Sequence, residues 1–264
     1  MRAGRLDVPP PELGRVAPGW SADLAYQLVP SVTTWRLTAP DGRVRFAKVD
    51  RAGHFPTLEA EAERMRWARP FLPVPTVVSI KRIGATSILL TEALPGRDAT
   101  DPCWHGDLPA LVRALGRGLR SFHDAVEPAR CPFRFDLERA LDHVRRRVAE
   151  GDIDPAGFHE EHRDLSPSSA LARLEASRSW PEDLVVCHGD YCPPNVLLDA
   201  GLVTGYLDLG ELGVADRWSD IAVGGWSTDW NFGAELEPLF YESYGVDPDR
   251  DRIRFYRLLY DLVS

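Results

Sequence analysis

The amino-acid sequence predicts an α+β fold, with a β-rich first part and a mainly helical second part. Three observations predict this fold. Short apolar segments bounded by turn residues fill roughly the first ninety residues, which is typical of strands and hairpins. Amphipathic patterns with helical spacing follow them. A second strand–turn–strand pattern then interrupts the helical part. With 264 residues, a single domain and two lobes sharing a cleft are both possible.

The N-terminal part contains three predicted strands joined by turns. Residues 25–29 and 34–38 are β-rich segments, and the loop between them contains Ser31. Asp41-Gly42 is a hairpin signal that leads into the third strand, residues 43–49. The sequence has no G-x-G-x-x-G loop, so a loop that covers a nucleotide here has to be built from Ser31 and its neighbours.

The third strand carries a lysine beside apolar side chains. Strand alternation places Lys48 on the same face as Val44 and Phe46, where an ammonium group needs a partner or a water-filled cleft. Residues 56–68 form a predicted helix that begins with proline and carries Glu59, Glu61 and Glu63. Judged by themselves, these glutamates also fit a solvated acidic helix face.

The remaining elements are two strands and a series of helices. Strands are predicted at residues 76–80 and 86–91, and the second runs into a segment that contains Thr91 and Ala93. Helices follow at residues 108–123, 135–150 and 166–178, the last with a serine N-cap.

Three polar residues flank the late strand–turn–strand pattern. A short apolar strand precedes Asp190, and Pro193-Pro194 forces a turn before Asn195. The strands 196–198 and 203–207 then form a hairpin that ends at Asp208. Because a hairpin returns the chain to its starting point, we expect Asn195 and Asp208 to be neighbours, with Asp190 close by.

This arrangement suits phosphoryl transfer. Mg²⁺ prefers hard oxygen ligands together with nucleotide phosphates, and Asn195 and Asp208 supply such oxygens. Asp190 is then placed to take or orient the proton of an acceptor hydroxyl. An Asp followed five residues later by an Asn, with a D-x-G Asp beyond, is the logic of the kinase catalytic loop. The alternative is that all three are turn-forming residues at strand ends.

Composition and charge exclude several classes of function. The net charge of −9 disfavours a nucleic-acid binder and permits a cationic substrate, although a solvated acidic surface explains it equally well. No apolar run reaches the roughly 20 residues of a membrane span, so we expect no membrane association. The N-terminus lacks a signal-peptide core and the four cysteines show no C-x-x-C spacing, so we expect a cytoplasmic protein.

The motifs V-C-H-G-D-Y-C-P-P-N-V-L-L-D and G-Y-L-D-L-G-E-L-G-V-A-D-R-W-S-D-I-A resemble those of the aminoglycoside phosphotransferases, most closely the 3′-phosphotransferase branch. The similarity runs from about residue 26 to the C-terminus. It implies a protein-kinase-like two-lobed fold, with an N-lobe over residues 1–93 and a C-lobe over residues 94–264. It also implies that Asp220 is a buried residue that braces the backbone of the catalytic loop.

The resemblance assigns roles at the nucleotide. Lys48, paired with Glu61, would hold the α- and β-phosphates of ATP or GTP, and the loop of Ser31 would cover them. Backbone groups of Thr91 and Ala93 would bind the purine base. With Asp190 as the catalytic residue and Mg²⁺ on Asn195 and Asp208, the implied function is transfer of the γ-phosphate to a sugar hydroxyl of an antibiotic, which gives antibiotic resistance.

The residues expected near the acceptor depart from the pattern of the aminoglycoside phosphotransferases. We expect Glu160, Glu161, Asp229 and Asp261 to contact the acceptor, with a plain exposed loop as the alternative for the first two. Tyr260 stands where the aminoglycoside phosphotransferases have one acid of a pair. Glu211 stands where they usually have arginine, so the charge at this position is reversed. These departures leave room for a non-aminoglycoside antibiotic, either a nucleoside antibiotic of the capuramycin type or a peptide antibiotic of the viomycin type.

Two further alternatives remain from the sequence. The first is a metabolic small-molecule kinase of the same fold, acting on choline, homoserine or a ketosamine. The second is a nucleotide-binding protein without catalysis, against which the intact set of Asp190, Asn195 and Asp208 argues. We expect a monomer or a weak dimer whose partners are a nucleotide and a small-molecule antibiotic.

Overall fold

The computed structural model describes residues 8–29, 31–177 and 180–263, which divide into two compact units. The first unit extends to Gly96 and includes the separate segment Thr204–Gly210, and the second contains the rest of the described chain. The predicted lobe boundary after residue 93 lies near Gly96. The sequence does not predict that the segment carrying Asp208 belongs to the first unit.

The first unit is built on an antiparallel sheet of five strands in the order β1-β2-β3-β5-β4. The long connection from β3 to β4 contains a helix, and a short helix precedes β1. The elements are α1 (Leu13–Val16), β1 (Ser21–Val29), β2 (Val32–Thr38), β3 (Val44–Asp50), α2 (Leu58–Ala68), β4 (Val77–Ile83) and β5 (Thr86–Glu92). The predicted strands and helix of this part are present in the predicted order.

The core of the first unit lies on the face of β3 opposite Lys48. Ala47 and Val49 are fully buried against Trp35 and Ile88, whereas Val44, Phe46 and Lys48 are only half-buried. The alternation was identified correctly, but the smaller side chains of β3 face the large ones of its neighbours. Lys48 therefore projects from the face opposite this core, where an ammonium group needs a charged partner.

The second unit is mainly helical. It has two small β elements: an antiparallel pair, β7 with β10, and a three-stranded sheet in the order β6-β8-β9. Strand β9 begins in the second unit, and its residues from Thr204 onward are assigned to the first. No helix in the described parts of the chain is both long and apolar enough to cross a membrane. The elements are β6 (Arg97–Asp98), α3 (Leu108–Asp124), α4 (Leu137–Glu150), α5 (Pro167–Ser177), β7 (Leu184–Cys187), β8 (Val196–Asp199), β9 (Leu202–Tyr206), β10 (Gly213–Asp216), α6 (Arg217–Phe232), α7 (Glu237–Tyr244) and α8 (Arg250–Val263).

Helices α3 and α7 pack unusually closely at one glycine. A Cβ atom on Gly116 of α3 would lie 2.5 Å from the carbonyl oxygen of Phe240 and 2.9 Å from the Cβ of Ser243. These neighbours are backbone or near-backbone atoms of α7, which cannot rotate away. Gly116 therefore allows the two helices to approach.

We predict that Gly116→Ala destabilises the protein by about 1–3 kcal/mol, because the added methyl overpacks the contact between α3 and α7. Urea unfolding followed by circular dichroism measures the change. Gly106→Ala is the matched control, since a Cβ at Gly106 meets nothing within 4 Å. Equal stabilities of the two variants would contradict this account of the helix contact.

Candidate active site

In the first unit, a lysine ammonium group lies between two carboxylates. Lys48 Nζ is 3.0 Å from Glu61 Oε2 and 2.6 Å from Asp208 Oδ1. Strand β3 supplies the lysine, α2 supplies Glu61, and Thr204–Gly210 supplies Asp208. The ion pair between Lys48 and Glu61 that the resemblance implies is present.

The electrostatics of this triad follow from its burial. Burial by itself would lower the pKa of Lys48, but the carboxylates of Glu61 and Asp208 raise it above its ordinary value. Burial raises the pKa of Glu61 to about 7, against the opposing effect of Lys48. The Glu61 side chain is 6% exposed and that of Asp208 is 44% exposed. Asp208 is therefore the carboxylate of this group that is open to a further ligand.

The D-L-G segment has a constrained backbone. Asp208 has a φ of 57°, in the left-handed region that few residues other than glycine adopt, and aspartate tolerates it better than most. Two residues later, a Cβ on Gly210 would lie 2.5 Å from Cγ of Pro56. The sequence D-L-G is thus required locally, because it turns the chain and lets it pass Pro56.

A hydrogen-bonded chain that the sequence does not predict links Ser31, just before β2, to His54 and to Asp50 at the end of β3. Ser31 Oγ is 3.4 Å from His54 Nε2, and His54 Nδ1 is 3.0 Å from Asp50 Oδ1. Asp50 also accepts the backbone N–H groups of residues 52–54. Burial would raise the pKa of Asp50, but these hydrogen bonds, led by that of His54, lower it. Because Lys48 and Asp50 are two residues apart in β3, they project from the same face.

The two residues predicted to bind the purine base lie at the end of β5. Thr91 is buried and pairs with Phe46 in the sheet, and Ala93 is half-buried just after the strand. A role in binding the base through backbone groups stays a prediction.

In the second unit, Asp190 is held by three hydrogen-bond donors. Asn195 Nδ2 donates to Asp190 Oδ2 at 2.9 Å and also to its backbone oxygen at 3.0 Å. Cys192 Sγ and the Tyr260 hydroxyl both donate to Asp190 Oδ1, at 3.1 Å and 3.2 Å. The side-chain nitrogen of Asn195 thus donates to Asp190. The side-chain oxygen of Asn195 is the atom that a cation would bind.

Both donors on Oδ1 keep their protons at neutral pH. Burial, and then the charge of Asp190, raises the pKa of the Cys192 thiol and of the Tyr260 hydroxyl well above their usual values. A carboxylate offers roughly four lone-pair positions, and protein donors fill three of them here. One position therefore remains for the hydroxyl of an acceptor.

A buried carboxylate braces the turn that carries Asp190. Asp220 accepts the backbone N–H groups of His188 at 2.6 Å and Gly189 at 2.9 Å, and the imidazole of His123 at 3.0 Å. This confirms the bracing role expected of Asp220. Gly189 is required here, since its φ is 94° and a Cβ would lie 2.5 Å from the Cβ of Glu211.

The same region contains a group with metal-like spacing. Ligand atoms of His123, Cys187 and Asp220 lie within 4.8 Å of one another in the described part of the chain. Both oxygens of Asp220 already accept hydrogen bonds, and burial raises the pKa of the Cys187 thiol well above its usual value. A thiol that keeps its proton is a poor ligand, so this group is structural.

The four acids predicted to contact the acceptor lie in different surroundings. Glu160 is exposed, whereas Glu161 lies 3.7 Å from Arg257. Asp229 is half-buried on α6. Asp261 is buried, and its two oxygens are taken by His159 Nδ1 at 2.5 Å and His162 Nδ1 at 2.6 Å. Asp261 thus offers no free carboxylate here, a feature that its spacing in the sequence could not show.

Comparisons with known proteins agree with this site. Residues 31–256 match the phosphotransferase enzyme family. The aminoglycoside 3'-phosphotransferase of Niallia circulans is 36% identical over 240 residues, covering 90% of this chain and 87% of that protein.

Two solved structures are similar over nearly the whole chain. The crystal structure of aminoglycoside-3'-phosphotransferase of type VIII has a TM-score of 0.85 and 36% sequence identity to this chain. The match covers 95% of this chain and 96% of that protein. The structure of aminoglycoside phosphotransferase APH(3'')-Id from Streptomyces rimosus, in complex with ADP and streptomycin, has a TM-score of 0.76 at 32% identity and covers 96% of each chain. The predicted protein-kinase-like α+β fold is confirmed.

We predict that Asp220→Ala destabilises the protein by about 3–5 kcal/mol, because it leaves two buried backbone N–H groups and His123 without their acceptor. Urea unfolding at pH 7 measures the loss. Asp251→Ala is the control, because its side chain is 80% exposed, and it should change stability by less than about 0.5 kcal/mol.

The difference between the wild type and Asp220→Ala should also depend on pH. Burial would raise the pKa of Asp220, but the hydrogen bond and charge of His123 and the other contacts of the loop lower it. A carboxylate with a lowered pKa stabilises the fold above its ordinary pKa, and that contribution is lost as pH falls below about 4. A difference that stayed constant down to pH 3 would contradict this assignment.

Proposed function

Because the chain belongs to the phosphotransferase enzyme family, we propose that it transfers the γ-phosphate of ATP or GTP to a sugar hydroxyl of an aminoglycoside antibiotic. It is a phosphotransferase with an alcohol group as acceptor. The addition of a phosphate inactivates the antibiotic and gives resistance. Relatives that act at the 3' and 3'' positions are similar to this chain, so either hydroxyl is a candidate.

The lysine triad of the first unit is the observation that carries this proposal. A strand lysine paired with a helix glutamate, together with a D-x-G aspartate, is the arrangement that holds nucleotide phosphates in kinases. Here Lys48, Glu61 and Asp208 have that arrangement, with both ion pairs at 3.0 Å or less. Lys48 would neutralise phosphate charge, and Ser31 would contribute a hydroxyl from the covering turn. Thr91 and Ala93 would bind the base.

Asp190 in the second unit would act on the acceptor. Its carboxylate accepts the proton of the acceptor hydroxyl while the hydroxyl oxygen attacks the γ-phosphorus and the nucleoside diphosphate leaves. Asn195, Cys192 and Tyr260 fix the orientation of the carboxylate. These three side chains occupy about three of the four hydrogen-bond acceptor positions of the carboxylate. The hydroxyl of the acceptor molecule therefore has one position left, which fixes where it binds.

The oxygens of Asn195 and Asp208 fit Mg²⁺, because an amide oxygen and a half-exposed carboxylate are hard ligands. When bound, the ion would offset the charge of the phosphates. We further propose that the two units correspond to the predicted lobes, that the protein works in the cytoplasm and that it is a monomer or a weak dimer.

We predict that Asp190→Asn lowers kcat by about 10²–10⁴-fold, because the amide cannot accept the proton. Mass spectrometry quantifies the phosphorylated product formed from a panel of aminoglycosides. Nucleoside and peptide antibiotics are tested separately as alternative acceptors. Asp199→Asn, at the exposed last residue of β8, is the matched control and should keep wild-type activity. Unchanged product formation by Asp190→Asn would refute the role of this residue. Product from metabolic alcohols alone would favour a metabolic kinase.

We predict that Lys48→Met lowers kcat/KM for ATP by about 10–100-fold, because it removes a charge-assisted contact to the phosphates. The chain offers a matched control in Lys81→Met, since Lys81 is exposed on β4 and should be replaceable without effect. Steady-state kinetics at a saturating acceptor concentration measure both variants, and thermal unfolding checks that each is folded. Equal losses in the two variants would contradict the role of Lys48.

A further inference from the structure

A cluster of aromatic and imidazole rings lies beside the catalytic loop and has no role in the mechanism above. Trp226 and Trp230 are four residues apart on α6, so they share one side of the helix, with ring centroids 4.7 Å apart. The ring of His159 lies flat on Trp230, at 4.1 Å and an angle of 6°, and 4.2 Å from Trp226.

The two tryptophans differ in what covers them. Trp226 is 4% exposed, and the guanidinium of Arg257 lies 5.2 Å from the centre of its ring. Trp230 is 41% exposed, although His159 covers part of it. A large apolar ring that is held in a fixed orientation and left open to solvent is typical of a ligand-binding surface.

The orientation of His159 is fixed from behind. Asp261 accepts a hydrogen bond from His159 Nδ1 and another from the backbone N–H of His159 at 3.3 Å, and it is only 1% exposed. Burial would raise the pKa of Asp261, but the hydrogen bonds of His159 and His162 lower it, so it stays ionised as an acceptor. The Nε2 edge of His159 is therefore directed away from Asp261, and the side chain is 31% exposed.

One side chain connects this cluster to Asp190. Tyr260 donates its hydroxyl to Asp190 Oδ1, and its ring lies 6.3 Å from that of His159. Tyr260 therefore lies beside both the carboxylate of Asp190 and the stacked rings. An acceptor whose hydroxyl is at Asp190 and which extends along Tyr260 would place a further ring against the stacked rings.

The acids beside the cluster suit a cationic ligand. Glu160 follows His159 in the chain and is exposed, and Asp229 precedes Trp230. Sugar rings present C–H groups to aromatic faces, and ammonium groups are attracted both to such faces and to carboxylates. An aromatic surface with acids at its edge therefore matches an amino sugar.

We propose that Trp230 and His159 form a binding surface for an amino-sugar ring of the acceptor other than the ring that is phosphorylated, with Asp261 as the positioning residue for His159. This inference rests on the proposed function. Asp261 then acts through His159 and does not bind an ammonium group of the acceptor directly.

The test compares acceptors that share the reactive two-ring core and differ in whether they carry further sugar rings. For Trp230→Ala, we expect KM to rise about tenfold for the larger acceptor and to change less than about twofold for the two-ring core, with kcat and KM for ATP unchanged. Trp230→Phe keeps a stacking ring and should recover most of the loss. Leu202→Ala, at a residue that is 67% exposed, is the control for removing an exposed apolar side chain.

The role of Asp261 is tested by a double-mutant cycle on KM for the larger acceptor. If Asp261 acts through His159, Asp261→Asn raises KM in the wild type but adds nothing in the His159→Phe background. An equal effect in both backgrounds would show direct binding by Asp261 and overturn its positioning role.

Two outcomes separate this inference from the proposed function. The binding surface is overturned if Trp230→Ala phosphorylates both acceptors like the wild type, or if its KM rises equally for both. Either result leaves the proposed function standing. If the wild type phosphorylates no aminoglycoside, the proposed function fails, and calorimetric titration of the same acceptors into the wild type and Trp230→Ala decides the binding surface. Equal affinities there overturn it.

Discussion

The geometry of the catalytic loop depends on one buried carboxylate. Asp220 accepts hydrogen bonds from the backbone of His188 and Gly189 and from the ring of His123, and the other nitrogen of His123 lies 2.8 Å from the hydroxyl of Tyr244. A buried charge is tolerated only where its partners are complete, so this network permits little variation. Three helices, α3, α6 and α7, are tied by these bonds to the turn that precedes Asp190. The close approach at Gly116 serves the same network, because it brings the end of α7, and with it Tyr244, against α3.

The sequence predicts the parts of this structure that are coded locally. The order of strands and helices follows from local patterns of apolar and turn residues. The pair Lys48 and Glu61 and the brace at Asp220 follow from the resemblance to the aminoglycoside phosphotransferases. The face of β3 that enters the core could not be derived in this way, because it depends on which neighbouring strands supply large side chains. Val44 and Phe46 look like core residues in isolation, yet Trp35 and Leu37 of β2 fill that space on the opposite face.

The contacts that were missed join residues far apart in the chain. His159 meets Asp261 over 102 residues, and Ser31 meets His54 over 23. No spacing rule connects an isolated histidine to a partner at such a distance. The sequence assigns His159 no role, and it predicts that Asp261 contacts the acceptor. In the structure Asp261 is buried against two imidazoles, and His159 is the partly exposed member of the pair.

The negative charge of the protein and the recognition of a cationic acceptor therefore act at different distances. The net charge of −9 attracts a polycation over the range of the Debye length, about 8–10 Å at ordinary ionic strength, and needs no particular carboxylate. Two of the acids predicted to contact the acceptor already have partners, Asp261 with two imidazoles and Glu161 with Arg257. A second carboxylate close to Asp190 would be unfavourable, because like charges repel each other. Tyr260 avoids that repulsion, since its hydroxyl donates a hydrogen bond to Asp190, and an aromatic surface supplies binding energy for the acceptor without adding a carboxylate.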